Sequence, residues 1–385
     1  MKVFISAAEP SGDIIAAEVM DYLPKETVYI GIGGIEMQKR GLRTLFPMEE
    51  LSVMGFLEII PRLFSILKRI QKTADIIIKE QPDVVLTVDA YSFHSRLAAR
   101  LRKRGYKGRL CHYVPPAVWA WKEKRAQALA QLYNEVYCIF PFEIPYFQPH
   151  GIYAEFVGHP AAFRVCKKDL TLRERYNLSD APLLMLLPGS RVQEIDKLYE
   201  IFLKACEMLI KTYPHLQLVV PTLPHLVAKI KEIGNQYKLK ITVITDTHDR
   251  FACFQEAQAA LAASGTVAME LALNKVPSVI GYKTSALTYF LARQFAKVKY
   301  ITVLNIMAEK EVISEFLQGQ CTPENLAAAL IPCLEHQDRA RLVSEIGAYT
   351  NTLKAPDGQK PQQIVAKRLE SSLHEREKLK VKEVP

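Results

Sequence analysis

A short turn after an apolar run carries the residue types that bind a phosphate. Residues 183–187 (LLMLL) are followed directly by Pro-Gly-Ser-Arg at 188–191 and then by a segment with helical spacing. Small residues let a phosphate approach the backbone, a helix N-terminus offers unpaired N–H groups, and the arginine adds a fork of donors. We therefore expect an anion site here. The alternative is an ordinary strand–helix loop with a surface arginine.

A second stretch repeats this arrangement further along the chain. The apolar run 261–263 meets Ser264, Gly265 and Thr266, and Glu270 follows one turn into a helical segment. Small residues and hydroxyls suit a diphosphate, and a carboxylate binds a ribose diol. An arginine neutralises the charge that builds on a leaving phosphate. Together the two loops favour a nucleotide-sugar transferase, with no metal needed if Arg191 and helix N-termini handle the diphosphate.

Acidic residues follow the apolar runs of the first half of the chain. Asp89 comes directly after residues 82–88, and Glu9 and Asp13 follow residues 3–6. A carboxylate at the carboxyl end of a parallel strand is a candidate general base. Alternatively, Asp89 caps the helix that follows it. In the same way, Ser11 or Asp13 could instead cap the helix that follows residues 3–6.

Aromatic and histidine residues mark two further loops. Residues 115–121 hold both tryptophans, Trp119 and Trp121, beside two prolines. This stiff, amphipathic loop suits a sugar or acyl group, or simply packs. His159 precedes Pro160 in an extended or turn geometry. A lone histidine is more often structural, but its place at a strand end favours function.

Alternating strand and helix patterns position all of these residues at strand ends. The alternation runs twice, with a charged break at residues 167–175. It predicts two parallel-sheet α/β domains with a cleft between them, as the length of 385 residues also suggests. We also predict a strand at 301–305, a helix at 311–317 and an amphipathic helix at 359–380.

Residues 51–70 are unusually apolar for a segment flanked by basic side chains. One interpretation is a buried helix whose basic residues reach solvent. The other is an interfacial segment lying on a membrane, with its basic residues at the headgroups. In the second case, the residues in contact with lipid would be Phe56, Leu57, Ile60, Leu63, Phe64 and Leu67.

Composition narrows the class of protein. The net charge of +9 fits a solvated basic surface, an anionic membrane, a nucleic acid or a phosphorylated substrate. Seven scattered cysteines without a CxxC pair indicate reduced thiols in the cytosol. We expect neither a signal peptide nor a membrane-spanning run. We also expect no dedicated metal or NTPase site, because HExxH and Walker A motifs are missing.

The ordered set of motifs resembles the lipid-A-disaccharide synthases. The match runs in order from residue 3 to about residue 334, and the order makes it specific although each motif is weak. Its members are EPSGD at 9–13, LSVMG at 51–55, YV at 113–114, Pro116, VWAW at 118–121, PFE at 141–143, VGHP at 157–160, LPGSR at 187–191, Glu194, SGT at 264–266, Glu270 and Asn305.

The resemblance implies a GT-B fold and an inverting transfer without a cofactor. The donor would be UDP-2,3-diacylglucosamine and the acceptor 2,3-diacylglucosamine 1-phosphate. The products would be a β-1,6-linked tetraacyl disaccharide 1-phosphate and UDP. It also implies a cytoplasmic enzyme attached peripherally to the inner membrane of a Gram-negative bacterium, with no nucleic-acid partner.

The resemblance also implies roles for single residues. Asp89 matches the family's proposed catalytic base, and Arg191 would assist departure of UDP. The donor ligands would be Gly189, Ser190, Arg191, Ser264, Gly265, Thr266, Glu270 and Asn305. The acceptor side would contain Glu9, Ser11, Asp13, Trp119 and His159. The sequence departs from the family at 89–94 (DAYSFH), which lacks the usual proline and second acid, at 115–117, where PPA replaces Ser-Pro-Ser, and at Ala8, which replaces a glycine.

The expected domains are residues 1–165 for the acceptor and membrane side, 166–350 for the UDP-sugar, and a helical tail at 351–385. In the resembled family this tail commonly returns to the N-terminal domain, so the chain would be a monomer or a homodimer with exchanged C-termini. The alternative functions are another GT-B enzyme, such as a UDP-N-acetylglucosamine 2-epimerase or an undecaprenyl-linked transferase, and a non-catalytic homologue that binds UDP or lipid.

Overall fold

The computed structural model describes residues 1–51, 59–120, 124–164, 169, 171–285, 289–290, 294 and 298–382. The side chains of residues 49, 59–63, 356 and 372–382 are outside this description. The chain divides into two compact units, Met1–Phe163 with Leu353–Pro385, and Arg164–Thr352. Each unit contains one parallel β-sheet.

Thirteen strands are described. The first unit contains β1 Lys2–Ala7, β2 Val28–Ile32, β3 Arg43–Thr44, β4 Val84–Val88, β5 Arg109–Tyr113, β6 Glu135–Cys138 and β7 Tyr153–Phe156. The second contains β8 Leu183–Leu187, β9 Gln217–Pro221, β10 Ile241–Ile244, β11 Ala259–Ala262, β12 Ser278–Tyr282 and β13 Ser314–Leu317.

The α-helices whose bounds the structure gives lie mainly between these strands. They are α1 Pro10–Met20, α2 Ile35–Gln38, α3 Ile59–Glu80, α4 Tyr91–Lys103, α5 Lys124–Leu132, α6 Ile144–Phe147, α7 Leu172–Arg175, α8 Val192–Thr212, α9 Val227–Gly234, α10 Thr247–Glu256, α11 Thr266–Leu273, α12 Val303–Ala308, α13 Pro323–Leu334, α14 His336–Asn351 and α15 Pro361–Lys382.

The first sheet has the strand order β3-β2-β1-β4-β5-β6-β7, so the order reverses between β1 and β4. These two strands are in register, with Val3 opposite Val84 and Ala7 opposite Val88. Ligands of open α/β sheets bind at the carboxyl ends of the strands, where the order reverses. The register therefore places the loops that carry Glu9 and Asp89 side by side.

The second sheet repeats this topology in the order β10-β9-β8-β11-β12-β13. Its reversal lies between β8 and β11, where Leu187 pairs with Ala262 at the carboxyl ends. β8 and β11 are almost entirely buried, because helices cover both faces of a parallel sheet. The two loops with phosphate-binding residue types thus become neighbours, although they are far apart in the sequence.

Two secondary-structure predictions near the end of the second unit are wrong. Residues 303–308 form α12 instead of a strand, because the Thr302 side chain caps this helix by accepting from the Asn305 N–H at 3.5 Å. Residues 314–317 form β13 instead of a helix, since the open edge of β12 supplies parallel hydrogen-bond partners. Capping and sheet pairing outweigh local propensity here.

The helix α3 changes character along its length. Ile70 and Ile77 are buried in the core, whereas Phe64 and Leu67 are 72% and 47% exposed. Of the other residues expected at lipid, Phe56 and Leu57 lie outside the described residues, as do the side chains of Ile60 and Leu63. None of the helices in the described ranges is long and apolar enough to cross a membrane.

The C-terminal helix α15 packs against α1 within the first unit. Val365, Ala366 and Leu369 are buried in the same apolar cluster as β1 and β4. Arg109 is almost fully buried and donates to the Leu369 carbonyl at 3.0 Å and to the Arg368 carbonyl at 3.1 Å. Apolar burial and charged donors near its centre therefore anchor this helix.

Candidate active site

The turn between β8 and α8 is held by Glu194. Its Oε2 accepts from the Ser190 N–H at 2.9 Å and from the Arg191 N–H at 3.2 Å, as in one half of a capping box. Gly189 has a φ of +127°, and a Cβ there would lie 2.5 Å from the Glu194 Cβ. Only glycine fits this position, because both the backbone conformation and the close contact exclude a side chain.

Arg191 extends from this turn into solvent. Its side chain is 79% exposed, and it contacts Glu194 at the long distance of 3.4 Å. The guanidinium is therefore only weakly engaged within the protein. It has the charge and the donors that a phosphate oxygen requires.

The second loop leads directly into α11. Gly265 has a φ of +149° and precedes Thr266, the first residue of the helix. The first N–H groups of a helix have no partner inside it, so this turn offers backbone donors next to Thr266. The positive end of the helix dipole adds a favourable potential for an anion.

Both loops line one cavity of about 340 Å³ in the second unit. It contains every predicted donor residue except Asn305. The lining residues are Leu187, Gly189, Ser190, Arg191, Glu194, Pro221, Thr222, Leu223, Arg250, Ala263, Ser264, Gly265, Thr266, Val267 and Glu270. The structure thus brings together two helix N-termini, two arginines and two glutamates around a space large enough for part of a nucleotide.

Glu270 is half-buried on the wall of this cavity. Burial raises its pKa, and the positive charges of Arg250 and Arg164 oppose that rise. The two arginines thus favour the carboxylate form, which accepts hydrogen bonds from hydroxyl groups. Sequence reasoning missed Arg250, because it lies on α10, whose sequence has no phosphate-binding pattern.

Asn305 is fully buried behind the β13 edge and does not line the cavity. Its Nδ2 donates to the Ile313 carbonyl and to Glu315 Oε1, both at 2.8 Å. Its Oδ1 accepts from the N–H groups of Val312 at 2.8 Å and Ile313 at 3.0 Å. These bonds join α12 to β13, and a role of Asn305 in donor binding stays a prediction.

In the first unit, Asp89 and Glu9 lie at the carboxyl ends of neighbouring strands. The Asp89 carboxylate accepts from the Ala90 N–H at 2.7 Å, and it does not cap α4. Burial raises the pKa of Asp89. Burial also raises the pKa of Glu9, with the nearby Asp89 charge as the second cause. A carboxylate with a raised pKa is better matched to proton abstraction near neutral pH.

Asp13 has a structural role in this unit. Its carboxylate accepts from the N–H groups of Gly34 at 2.8 Å and Glu36 at 3.0 Å, so it caps α2 and not the helix that contains it. A Cβ at Gly34 would lie 2.6 Å from Asp13 Oδ2, which explains the glycine. Ser11 is exposed in the first turn of α1. Contact of either residue with an acceptor stays a prediction.

Trp119 and His159 belong to one aromatic cluster. The Trp119 Nε1 donates to Glu143 Oε1 at 3.3 Å, and its ring lies 5.4 Å from that of Phe142. The His159 ring lies 5.3 Å from that of Phe140, and its Nδ1 accepts from the Ala161 N–H at 3.2 Å. Trp119 therefore packs within the first unit, and contact of Trp119 or His159 with an acceptor stays a prediction. Trp121 lies outside the described residues.

Glu143 is a buried carboxyl that sequence reasoning passed over as part of a motif. It is 1% exposed and also accepts from the Ile139 and Phe140 N–H groups at 3.1 Å. Burial raises the pKa of Glu143 to about 8, although these donors and Trp119 oppose the rise. The residue fixes the loop after β6 to the tryptophan loop after β5.

Asp169, His248 and Asp249 have ligand atoms within 4.8 Å of one another, a spacing that suits a metal ion. Arg175 donates to Asp169 at 2.6 Å and to Asp249 at 2.5 Å. The Arg175 hydrogen bond holds the pKa of Asp169 well below its usual range. This cluster is an ion-pair network in which the guanidinium already balances both carboxylates.

Two solved structures share this architecture over nearly the whole chain. A UDP-GlcNAc 2-epimerase from Methanocaldococcus jannaschii, in complex with UDP-GlcNAc and UDP, has a TM-score of 0.61 at 15% identity, covering 96% of this chain and 99% of that one. S. aureus MnaA with UDP has a TM-score of 0.62 at 16% identity, covering 95% and 94%. With its two parallel sheets and strand-end loops, this chain is therefore an α/β protein of the GT-B fold.

Sequence similarity identifies the family. The family model for lipid-A-disaccharide synthetase matches residues 3–367. The lipid-A-disaccharide synthase of Rhodospirillum centenum is 36% identical over 374 residues, which is 94% of this chain and 93% of the relative. The chain belongs to the lipid-A-disaccharide synthase family, and it is a glycosyltransferase. The resemblance stated from the motifs is confirmed, and the epimerase and non-catalytic alternatives are not favoured.

Proposed function

We propose that this chain transfers the diacylglucosamine of UDP-2,3-diacylglucosamine to 2,3-diacylglucosamine 1-phosphate with inversion. The products are the β-1,6-linked disaccharide 1-phosphate and UDP. Family membership supports the reaction. The strand register supports different roles for the two units. It brings the predicted phosphate-binding loops together in the second unit and the candidate carboxylates together in the first.

In the proposed step, Asp89 takes the proton of the acceptor 6-hydroxyl. The oxygen forms a bond to the anomeric carbon from the face opposite the diphosphate. The bond from that carbon to the diphosphate oxygen breaks, and UDP leaves with the electron pair. Asp89 suits this role because its carboxylate is half-buried, has a raised pKa and lies at a strand end.

The charge on the departing diphosphate needs donors in the second unit. Glu194 already occupies the amides of Ser190 and Arg191. We therefore assign the phosphate contacts to the Arg191 guanidinium and to the first turn of α11 at Thr266. Glu270 lines the same cavity and would hold the ribose hydroxyls.

One assay tests the reaction. The purified chain is incubated with UDP-diacylglucosamine and the 1-phosphate acceptor, and mass spectrometry identifies the products. Loss of a general base costs about 10²–10⁴-fold in rate, so Asp89→Asn should lose turnover by that factor while UDP affinity is unchanged. Asp83→Asn is a matched control, because Asp83 is exposed and bonds to the Lys2 N–H. Near-normal turnover of Asp89→Asn would remove the base assignment.

We further propose that the N-terminal half of α3 contacts the cytoplasmic face of the inner membrane, where acylated substrates reside. Phe64 and Leu67 are exposed apolar residues, and Lys68 and Lys72 lie within the next two turns. Apolar side chains next to basic ones favour an interface with anionic lipid.

Vesicle co-sedimentation tests this contact with lipid containing anionic headgroups. The double variant Phe64→Ser with Leu67→Ser should bind vesicles more weakly and keep the circular dichroism of the native chain. Ile35→Ser is the matched control, since Ile35 is 69% exposed on α2. Equal binding by the double variant and the control would overturn the proposed contact. Light scattering of the purified chain without vesicles distinguishes a monomer from a homodimer.

A further inference from the structure

A buried histidine beneath Asp89 has no part in the mechanism described so far. His94 lies in the first turns of α4 and is fully buried. Its Nδ1 is 2.7 Å from the Asp89 carbonyl oxygen, and its Nε2 is 2.9 Å from the Ser6 Oγ. A carbonyl can only accept, so Nδ1 carries the proton and Nε2 accepts from the Ser6 hydroxyl.

This arrangement requires a neutral imidazole. Burial lowers the pKa of His94 to about 4, so the ring stays neutral at physiological pH. Ser6 is also fully buried, and its hydroxyl matches the tautomer that places the proton on Nδ1. The ring is therefore a fixed donor to the Asp89 carbonyl.

The peptide group between Asp89 and Ala90 links this donor to the carboxylate. Its carbonyl accepts from His94, and its N–H donates to Asp89 Oδ1 at 2.7 Å. Asp89 and Ala90 have φ values of +53° and +44°, which residues other than glycine rarely adopt. Such a backbone persists only when its surroundings hold it, and His94 supplies a hydrogen bond that does so.

We propose that His94 is a positioning residue, which holds the Asp89–Ala90 peptide so that its N–H orients the Asp89 carboxylate toward the acceptor hydroxyl. Ser6 sets the tautomer that this requires. The inference rests on the proposed role of Asp89 as general base. It adds two buried residues of the first unit to the catalytic machinery without placing either in contact with substrate.

The chain offers a matched control in His112. This histidine is also fully buried, and its ring centroid lies 6.3 Å from that of His94. It bonds to Thr87 Oγ1 at 2.8 Å through Nδ1, and its Nε2 makes no hydrogen bond within the described part of the chain, so it does not contact the Asp89–Ala90 peptide in this way. Replacing either histidine disturbs the same core, but only one replacement removes the bond to Asp89.

The experiment compares His94→Leu, His94→Asn and His112→Leu in the full chain. A shift of about 1 Å in a reacting group costs about 10²-fold, so kcat of His94→Leu should fall by about that factor beyond any fall in His112→Leu. UDP affinity should stay unchanged in all three. His94→Asn should recover most of the turnover, because the asparagine Nδ2 can donate to the same carbonyl.

The pH profile gives a readout that a loss of packing would not move. Asp89 must be ionised to act as a base, and the Ala90 N–H favours that form. Glu9 from the loop after β1 is the facing acid, and His94 from α4 stays neutral. Releasing the peptide should therefore move the acidic limb of kcat/KM to higher pH in His94→Leu. Ser6→Ala should show the same direction of shift, and it serves if His94→Leu does not fold.

Equal turnover of His94→Leu and His112→Leu, or an unmoved acidic limb, would overturn the positioning role. A fall in turnover that His94→Asn fails to recover would overturn it as well. Asp89→Asn separates this proposal from the one on which it rests. If Asp89→Asn keeps its turnover, the general-base assignment fails; if it is inactive while the two histidine variants match, only the positioning role fails.

Discussion

Arg191 and Glu194 show how one side chain can be held while its neighbour remains available. The Glu194 carboxylate accepts a hydrogen bond from the backbone of its own turn, whereas the Arg191 guanidinium is exposed and weakly engaged. Of these two residues, Arg191 is the predicted phosphate ligand, and its replacement should destabilise the turn less than replacement of Glu194. This makes Arg191 a clean target for substitution.

We expect Arg191→Ala to weaken UDP binding without destabilising the protein. Hydrogen bonds to charged groups contribute about 1.5–3 kcal/mol, which corresponds to a rise in Kd of about 10- to 150-fold. Isothermal titration with UDP measures this change. Arg341→Ala is the charge-matched control, since Arg341 is 74% exposed and pairs with Asp338 on α14. Equal affinities of the two variants would show that Arg191 does not contact the diphosphate.

The buried Glu143 predicts a dependence of stability on pH. Its pKa is raised from 4.5 to about 8 in the folded state, so the folded chain holds this proton more tightly than the unfolded chain. Its contribution to stability is present below pH 4.5 and is lost as the pH rises to about 8. The slope of the unfolding free energy is at most about 1.4 kcal/mol per pH unit.

Urea denaturation at pH 6 and pH 8.5 tests this, with tryptophan fluorescence as the probe because Trp119 bonds to Glu143. The native chain should lose stability between the two values relative to Glu143→Gln, which cannot titrate. A constant difference between the two proteins would mean that Glu143 stays ionised throughout this range.

At the scale of elements, the turn between β8 and α8 depends on a glycine. Gly189→Ala would place a Cβ against Glu194 in a backbone conformation that alanine disfavours. We expect the turn to shift and UDP affinity to fall, with a conformational cost of about 1–3 kcal/mol.

Gly151→Ala separates the two causes, because Gly151 has a φ of +74° but nothing within 4 Å of an added Cβ. Both variants should lower the melting temperature, and only Gly189→Ala should weaken UDP binding in a titration. Undiminished affinity of Gly189→Ala would show that the turn does not shape the donor site.

At the scale of the whole molecule, the chain ends in the unit where it began. The helix α15 contributes Val365, Ala366 and Leu369 to a cluster that also contains residues of β1 and β4. The final segment is therefore part of the first unit's core, while the described residues that line the candidate donor cavity all belong to the second unit. The two functions attributed to the units should respond separately to core mutations.

Leu369→Ala should destabilise the first unit by about 2–5 kcal/mol, because Leu369 is fully buried. UDP affinity should be preserved below the melting temperature. Calorimetry and UDP titration check both expectations, and Lys367→Ala, an exposed change on the same helix, is the control. A matching loss of UDP affinity would mean that the donor site depends on the core of the first unit.

The sequence by itself determined the fold class and the two loops that line the candidate donor cavity. Apolar runs that end in small or charged residues identify parallel strands and the loops after them. Ligands of open α/β sheets bind at the carboxyl ends of the strands, so these loops are the candidate binding sites. This is why Arg191, Thr266 and Glu270 were predicted from pattern and found around one cavity. The family followed from the order of the motifs.

Only the tertiary structure decided how individual polar groups are used. Asp13 caps a neighbouring helix, Asn305 joins α12 to β13, and His94 bonds to the Asp89 carbonyl, all through contacts with other segments. The local sequence pattern also predicted a helix at 311–317, where the structure has β13, because the edge of β12 supplies the hydrogen bonds. A sequence specifies which groups can bond, but the partner depends on which segments folding brings within about 3 Å.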